Sequence, residues 1–111
     1  MEIVCGEIVL CEFIFSDGLG VKSSPVLVFK DNLPFEDFVG IPVSAQPVRH
    51  QDEVLLSNVD FELGGLPKDS KLIIRKTFVI NKHVIKKSYG VLNKTRYTAI
   101  KNSFCDYFDC R

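Results

Sequence analysis

The segment Gly6-Glu7-Ile8-Val9-Leu10-Cys11-Glu12-Phe13-Ile14-Phe15 predicts a β-strand with apolar residues on both of its faces. The polar, glycine-containing segment Ser16 to Ser24 follows as a loop, and the chain restarts as a second strand at Pro25-Val26-Leu27-Val28-Phe29. A strand that is apolar at both odd and even positions cannot have one face in water. The sequence therefore predicts a small closed or double-layered β structure with an exposed, adaptable loop.

Short apolar runs bounded by turn residues predict the remaining strands. These strands cover Phe35 to Ala45, Val54 to Leu56, Leu72 to Ile80 as one strand, and Val84 to Leu92 with a kink at Gly90. Turns are predicted at Gly64 to Asp69 and at Asn81 to His83. We expect a mostly antiparallel, barrel-like sheet of roughly five to seven strands, typical of small β domains.

Helical periodicity occurs only near the C-terminus. Asn93 is a good N-cap, and the segment Lys94 to Phe108 carries apolar residues at spacings of three and four: Tyr97, Ile100, Phe104 and Phe108. Such a stripe usually faces a core. We therefore expect a mainly β fold with one C-terminal helix packed on the sheet, forming a single domain over residues 1–111.

Composition narrows the possible classes of protein. With 46% apolar residues and 9 Phe in 111 residues, the chain can build a core without disulfides or metals. It has no run of about 18 apolar residues and no signal-peptide pattern at its N-terminus, so we expect a cytoplasmic protein that does not enter a membrane.

The cysteines and histidines do not have the spacing of a metal site. Cys5, Cys11, Cys105 and Cys110 form no Cys-x-x-Cys pair, and the two histidines are distant from them in sequence. We interpret the cysteines as reduced thiols and predict no metal and no cofactor.

Charge is unevenly distributed along the chain. Residues 1–69 contain 12 acidic and 4 basic residues, whereas residues 70–111 contain 2 acidic and 10 basic residues. If the basic third formed one surface, it would suit a phosphate backbone or an acidic peptide. The alternative is an ordinary solvated surface, because a sheet interleaves distant segments.

Four segments in order resemble the PemK/MazF family of toxin endoribonucleases. The first hairpin contains Gly-acid-Ile-Val, Phe-x-Phe, a glycine loop and a proline before an apolar strand. The family's strand-end motif is similar to Ile41-Pro42-Val43-Ser44-Ala45-Gln46. A later strand of the family is similar to the segment Ser70 to Ile80. Gly90-Val91-Leu92 before a helix is similar to the closing segment.

The resemblance implies a small SH3-like twisted β-barrel that forms a homodimer. It also implies the toxin of a type II toxin-antitoxin system, which cleaves single-stranded RNA without a metal. The implied partner is a cognate antitoxin whose disordered acidic tail wraps the dimer.

The resemblance also implies roles for individual residues. The two catalytic positions that the resemblance implies are Ser44, where the family has Thr or Ser, and Ser24, where the family has an arginine. Lys22 is the candidate replacement cation, although it lacks the planar fork of arginine. The expected substrate-binding residues are Asp17, Ser23 and Gln46.

Other interpretations remain open for these residues. The Ser44 hydroxyl could simply satisfy the end of a strand, and the loop residues could be polar because loops are solvated. The loss of arginine at Ser24 favours a non-catalytic member that binds nucleic acid or protein without cutting. A third, purely structural role needs no ligand at all.

Overall fold

The computed structural model describes residues 2–14 and 20–110. Within these ranges, antiparallel strands form a curled half-barrel and one helix follows them. The strands are β1 Glu7–Ile14, β2 Val21–Lys30, β3 Asp37–Ser44, β4 Glu53–Leu56, β5 Phe61–Gly64, β6 Ser70–Ile73, β7 Phe78–Asn81 and β8 Ile85–Leu92, and the helix is α1 Lys94–Phe108. The strand order is β4-β6-β3-β2-β1-β8-β5, with β7 also paired to β3. This architecture confirms the predicted fold class, a mainly β fold with one C-terminal helix.

The central strands are buried on both faces. Ile8 on β1 pairs with Leu27 on β2, and both belong to a core beneath α1. One position along, Val9 pairs with Val26, and both belong to a second core on the opposite face of the sheet. These four side chains are at most 1% exposed. Burial on two faces is the physical reason that β1 is apolar at both odd and even positions.

Helix α1 begins and packs largely as predicted. The Asn93 side chain accepts a hydrogen bond from the Arg96 amide at 2.8 Å, which is an N-cap. Ile100 is fully buried, and the Phe104 ring stacks on Phe29 with centroids 4.5 Å apart. Phe108 does not belong to the core as predicted: it rests on Phe104 at the outer end of the helix and is 45% exposed.

The prediction that Leu72 to Ile80 forms a single strand is wrong, because this segment is divided between β6 and β7. A 3-10 turn at Ile74–Lys76 separates the two strands, and Thr77 closes it by donating from its hydroxyl to the Ile74 carbonyl at 2.7 Å. The two strands pair with different parts of β3. The strand count therefore exceeds the predicted five to seven, and β5 was not predicted at all.

The second strand begins earlier than predicted. Val21 to Ser24, expected in a loop, are part of β2 and pair with β1 in the register Phe13 with Lys22 and Cys11 with Ser24. The other residues of the predicted loop, except Gly20, fall within residues 15–19, which lie outside the described ranges. The third strand begins at Asp37, because Phe35 adopts a left-handed backbone (φ 63°) in the turn before it.

The four cysteines form no disulfide bond. Cys11 is buried in the second core, and burial raises the pKa of its thiol to about 11. Cys5 and Cys110 are exposed, and Cys105 is half-buried.

Among the described residues, no helix has the length and apolar character needed to cross a membrane.

Candidate functional site

Ser24 and Ser44, which were predicted as catalytic, lie at the same end of the sheet. The pairing of β2 with β3 ends at Val26 opposite Pro42. Ser24 lies two positions before Val26, and Ser44 lies two positions after Pro42. Side chains two positions apart on a strand share a face. Both hydroxyls are therefore directed to one face, on the side of the second core, and both residues are half-buried.

Lys22 shares this face but does not lie in a flexible loop. It belongs to β2, two residues before Ser24, and is fixed by pairing with Phe13. Two strand residues span about 6.6 Å, a distance that the long lysine stem can cover. Lys22 is exposed, and among the described residues no acidic side chain forms an ion pair with it.

The Ser44 hydroxyl already has one backbone contact. It accepts a hydrogen bond from the Gln46 amide at 3.2 Å. This contact supports the strand-end interpretation of Ser44, although a hydroxyl keeps its own proton and a second lone pair for a substrate. Gln46 is exposed beside it.

The structure does not bring every predicted residue to this face. Ser23 lies between Lys22 and Ser24 on β2, so its side chain is directed to the opposite side of the sheet. Asp17 lies outside the described ranges.

Two aromatic residues on this face were not predicted as functional. Phe13 lies directly across from Lys22, and its ring is 6.0 Å from that of Phe78 on β7. Both residues are half-buried and pack against the second core. The Phe-x-Phe pattern signalled a core strand, and only the pairing of β7 with β3 shows that Phe78 joins Phe13. We call Lys22, Ser24, Ser44, Phe13 and Phe78 the serine face.

A small cleft lies at the same end of the sheet on the opposite face. Pro25, Val43, Leu66 and Tyr89 line its volume of about 220 Å³. The Lys87 ammonium lies 5.0 Å from the centre of the Tyr89 ring, a cation–π contact. Pro25 and Val43 each neighbour a site serine in sequence but face away from it, so the cleft is separate from the serine face.

Five basic residues of the C-terminal third form ion pairs with acids from the first part of the chain. The ion pairs are Lys71 with Glu53, Arg75 with Asp52 and Glu53, Lys82 with Asp31, Lys86 with Glu12, and Arg96 with Asp60. The sheet therefore interleaves the two charge blocks in part, and acids balance about half of the basic residues of this third. In the described ranges, Lys76, Lys87, Lys94 and Lys101 form no ion pair, although Lys87 and Lys101 lie over the rings of Tyr89 and Tyr97.

The described residues contain no group of three or more His, Cys, Asp or Glu side chains that could hold a metal ion.

Comparison with known proteins identifies the fold. No protein-family model matches the sequence, and no curated protein matches it either. A solved MazE–MazF complex from Deinococcus radiodurans contains a chain that superposes with a TM-score of 0.79 at 13% identity, covering 98% of this chain and 97% of that one.

Two mycobacterial structures are also similar. An endoribonuclease in complex with its cognate antitoxin superposes with a TM-score of 0.75 at 13% identity, covering 99% of this chain and 98% of that one. The Mycobacterium tuberculosis toxin MazF-mt6 superposes with a TM-score of 0.73 at 18% identity, covering 95% and 98%. The chain therefore has the fold of MazF-type toxins over nearly its whole length.

Proposed function

We propose that this chain is a MazF-like toxin of a type II toxin-antitoxin system, a weak, metal-independent endoribonuclease for single-stranded RNA. The observation that carries the proposal is the placement of Lys22, Ser24 and Ser44 on one face, at one end, of a MazF-type fold. We further propose that the protein acts in the cytoplasm as a homodimer.

The proposed reaction is attack of a ribose 2′-hydroxyl on the adjacent phosphate. The 2′-oxygen loses its proton and bonds to phosphorus, the bond from phosphorus to the 5′-oxygen breaks, and the 5′-oxygen leaves as a hydroxyl after gaining a proton, so that a 2′,3′-cyclic phosphate remains. Because the nucleophile belongs to the RNA, no metal-bound water is needed. The protein must stabilise charge on the phosphate and move protons. Ser44 supplies a hydroxyl donor, and Lys22 supplies a cation of the kind that binds phosphate as a point charge. Ser24 cannot replace an arginine, so we expect slow cleavage.

The aromatic pair favours a single-stranded substrate. Unstacked bases bind to exposed aromatic rings, and cationic side chains beside them hold the phosphates. Phe13 and Phe78 offer half-buried rings next to Lys22. A duplex would keep its bases stacked and would not use these rings.

The proposed protein partner is a cognate antitoxin. Two of the similar structures are complexes of that kind, one with MazE and one with a cognate antitoxin. An acidic antitoxin tail would bind electrostatically to the lysines of the C-terminal third that form no ion pair in the described ranges, so we expect its affinity to fall as salt rises.

The test of the proposed chemistry is single-turnover cleavage of a mixed-sequence single-stranded RNA. Ser24→Arg should raise the rate by up to about 10² to 10³, which is the usual effect of one charge-stabilising donor. Lys22→Ala and Ser44→Ala should abolish the residual activity, and EDTA should leave it unchanged. Ser23→Arg is the matched control, because it adds the same charge one residue away on the opposite face.

Equal gains from Ser23→Arg and Ser24→Arg would show that added charge, and not the serine face, causes the effect. Ser24 in place of an arginine also favours a second candidate function, a non-catalytic protein that binds nucleic acid or a protein. That function stands if none of the variants cuts RNA while the unmodified chain binds RNA or a partner.

A further inference from the structure

A buried ion pair lies beneath the loop that follows Ser44. The Lys71 ammonium is 2.7 Å from Glu53 Oε1, and the two side chains are only 7% and 1% exposed. In the register of the sheet, Lys71 on β6 lies directly opposite Ser44 on β3. Directly opposed residues share a face, with Cβ atoms about 5 Å apart. The pair is thus adjacent to a predicted catalytic residue.

The same two side chains hold the backbone of the loop over residues 45–50. Lys71 Nζ donates to the Pro47 carbonyl at 2.9 Å. Glu53 Oε1 accepts from the amides of Arg49 at 2.8 Å and His50 at 3.3 Å. All residues from 45 to 50 are exposed, so the loop has little burial of its own to hold it in place.

Arg75 fixes the other oxygen of Glu53. Its Nη1 donates to Glu53 Oε2 at 2.9 Å and to Asp52 Oδ1 at 2.8 Å. The Glu53 carboxylate therefore cannot rotate without breaking contacts on both sides, which makes it a rigid anchor for the loop amides.

Lys71 is unsuited to act on a phosphate directly. It is buried, two of its three donors are engaged, and its charge is balanced by Glu53. Stability alone also accounts poorly for the pair, because apolar residues of similar volume usually stabilise a protein at least as well as a buried ion pair. The contacts to the loop are what an apolar pair could not supply.

We propose that Glu53 and Lys71 are positioning residues that hold the loop over residues 45–50, and so fix Ser44 and Gln46 for RNA. The link between loop and site is the hydrogen bond from the Gln46 amide to the Ser44 hydroxyl. This proposal rests on the proposed function, and a displacement of about 1 Å at a reacting group can cost roughly 10²-fold in rate.

The test uses two double variants that both remove the buried charges. Glu53→Leu/Lys71→Met fills the space with apolar atoms and removes every side-chain contact to the loop. Glu53→Gln/Lys71→Met keeps an oxygen that can accept from the Arg49 and His50 amides. The matched control is Asp31→Asn/Lys82→Met, a second partly buried ion pair, 3.0 Å long, in a different part of the sheet.

Two readouts separate positioning from folding. The first is amide hydrogen exchange at Arg49 and His50, measured beside the unfolding midpoint. The second is the single-turnover rate at saturating RNA, measured in the Ser24→Arg background, where we expect the fastest cleavage. Glu53→Leu/Lys71→Met should speed exchange at both amides at least tenfold and lower the rate about 10- to 10²-fold. Glu53→Gln/Lys71→Met should give exchange and cleavage rates between those of Glu53→Leu/Lys71→Met and those of the parent. The control variant should have the same two rates as the parent.

Wild-type exchange at Arg49 and His50 in a folded Glu53→Leu/Lys71→Met variant would overturn the proposal. Faster exchange with an unchanged cleavage rate would overturn it too. If the parent chain neither binds nor cuts RNA, the proposed function and the positioning role both fail. Exchange would then still show whether the pair holds the loop.

Discussion

At the scale of single residues, two glycines allow two strands to approach closely. Gly64 at the end of β5 lies opposite Gly90 in β8. Both have positive φ, 73° and 150°, and a Cβ on either would lie 2.1 Å from a backbone oxygen of the other strand. The predicted kink at Gly90 thus lies where two paired strands approach closely. A side chain at this position would collide with the neighbouring backbone, and the positive φ favours glycine.

Gly90→Ala should therefore destabilise the fold more than Gly20→Ala. Gly20 also has positive φ, at 109°, but apart from its chain neighbours no described residue lies within 4 Å of its Cβ position. Gly20→Ala should lower the free energy of unfolding by about 1–3 kcal/mol through backbone strain alone, whereas Gly90→Ala adds a clash with backbone atoms. Urea unfolding of both variants measures the difference. Equal losses would show that the sheet opens to accommodate the methyl group.

At the scale of elements, partners along β3 decide where strands begin and end. The segment from Leu72 to Ile80 contains two stretches with strand propensity, one on either side of Arg75 and Lys76, and each pairs with a separate part of β3. The 3-10 turn at Ile74–Lys76 moves the chain from one stretch to the other. Propensity cannot show such a division, since it depends on a distant partner.

Helix α1 should contribute to stability mainly through its first three turns. Ile100→Ala removes a fully buried side chain and should lower the free energy of unfolding by about 2–5 kcal/mol. Phe108→Ala should cost only about 1 kcal/mol, because the ring is 45% exposed and full burial is worth roughly 1.5–3 kcal/mol. Thermal or urea unfolding of both variants compares them. A larger loss at Phe108 would indicate that this ring is covered in solution, as in a dimer.

At the scale of the whole molecule, ion pairs tie the acidic and basic parts of the chain together. The hydrogen bond from Lys71 lowers the pKa of Glu53 far below its usual 4.5, against the opposing effect of burial. Burial would raise the pKa of Asp52, but hydrogen bonds from Arg75 outweigh it and lower the pKa below 3.8. Both carboxyls thus bind protons more weakly in the folded chain than in the unfolded chain.

Stability should consequently fall in acid. A carboxyl with a lowered folded pKa stabilises the fold above its unfolded pKa and loses that contribution as pH falls through the folded value. The urea midpoint should be nearly constant above pH of about 5.5 and decline below about 4.5. Glu53→Leu/Lys71→Met should show a shallower decline. If the urea midpoint of the parent and that of Glu53→Leu/Lys71→Met fall identically in acid, other titrating groups cause the loss of stability.

The sequence by itself determined the fold class, the apolar first strand, the N-cap at Asn93 and the bounds of α1. These features depend on local periodicity and capping, which neighbouring residues encode. Through the motif resemblance, the sequence also indicated Ser24 and Ser44 as candidate catalytic residues.

Only the tertiary structure decided which of the candidate residues share a face. It places Lys22 and Ser24 on a strand, directs Ser23 away, and adds Phe13 and Phe78, because strand register sets side-chain direction. It also shows Glu53 and Lys71 meeting beneath the loop after Ser44. They are separated by 18 residues, and no local pattern relates residues that only sheet pairing brings together.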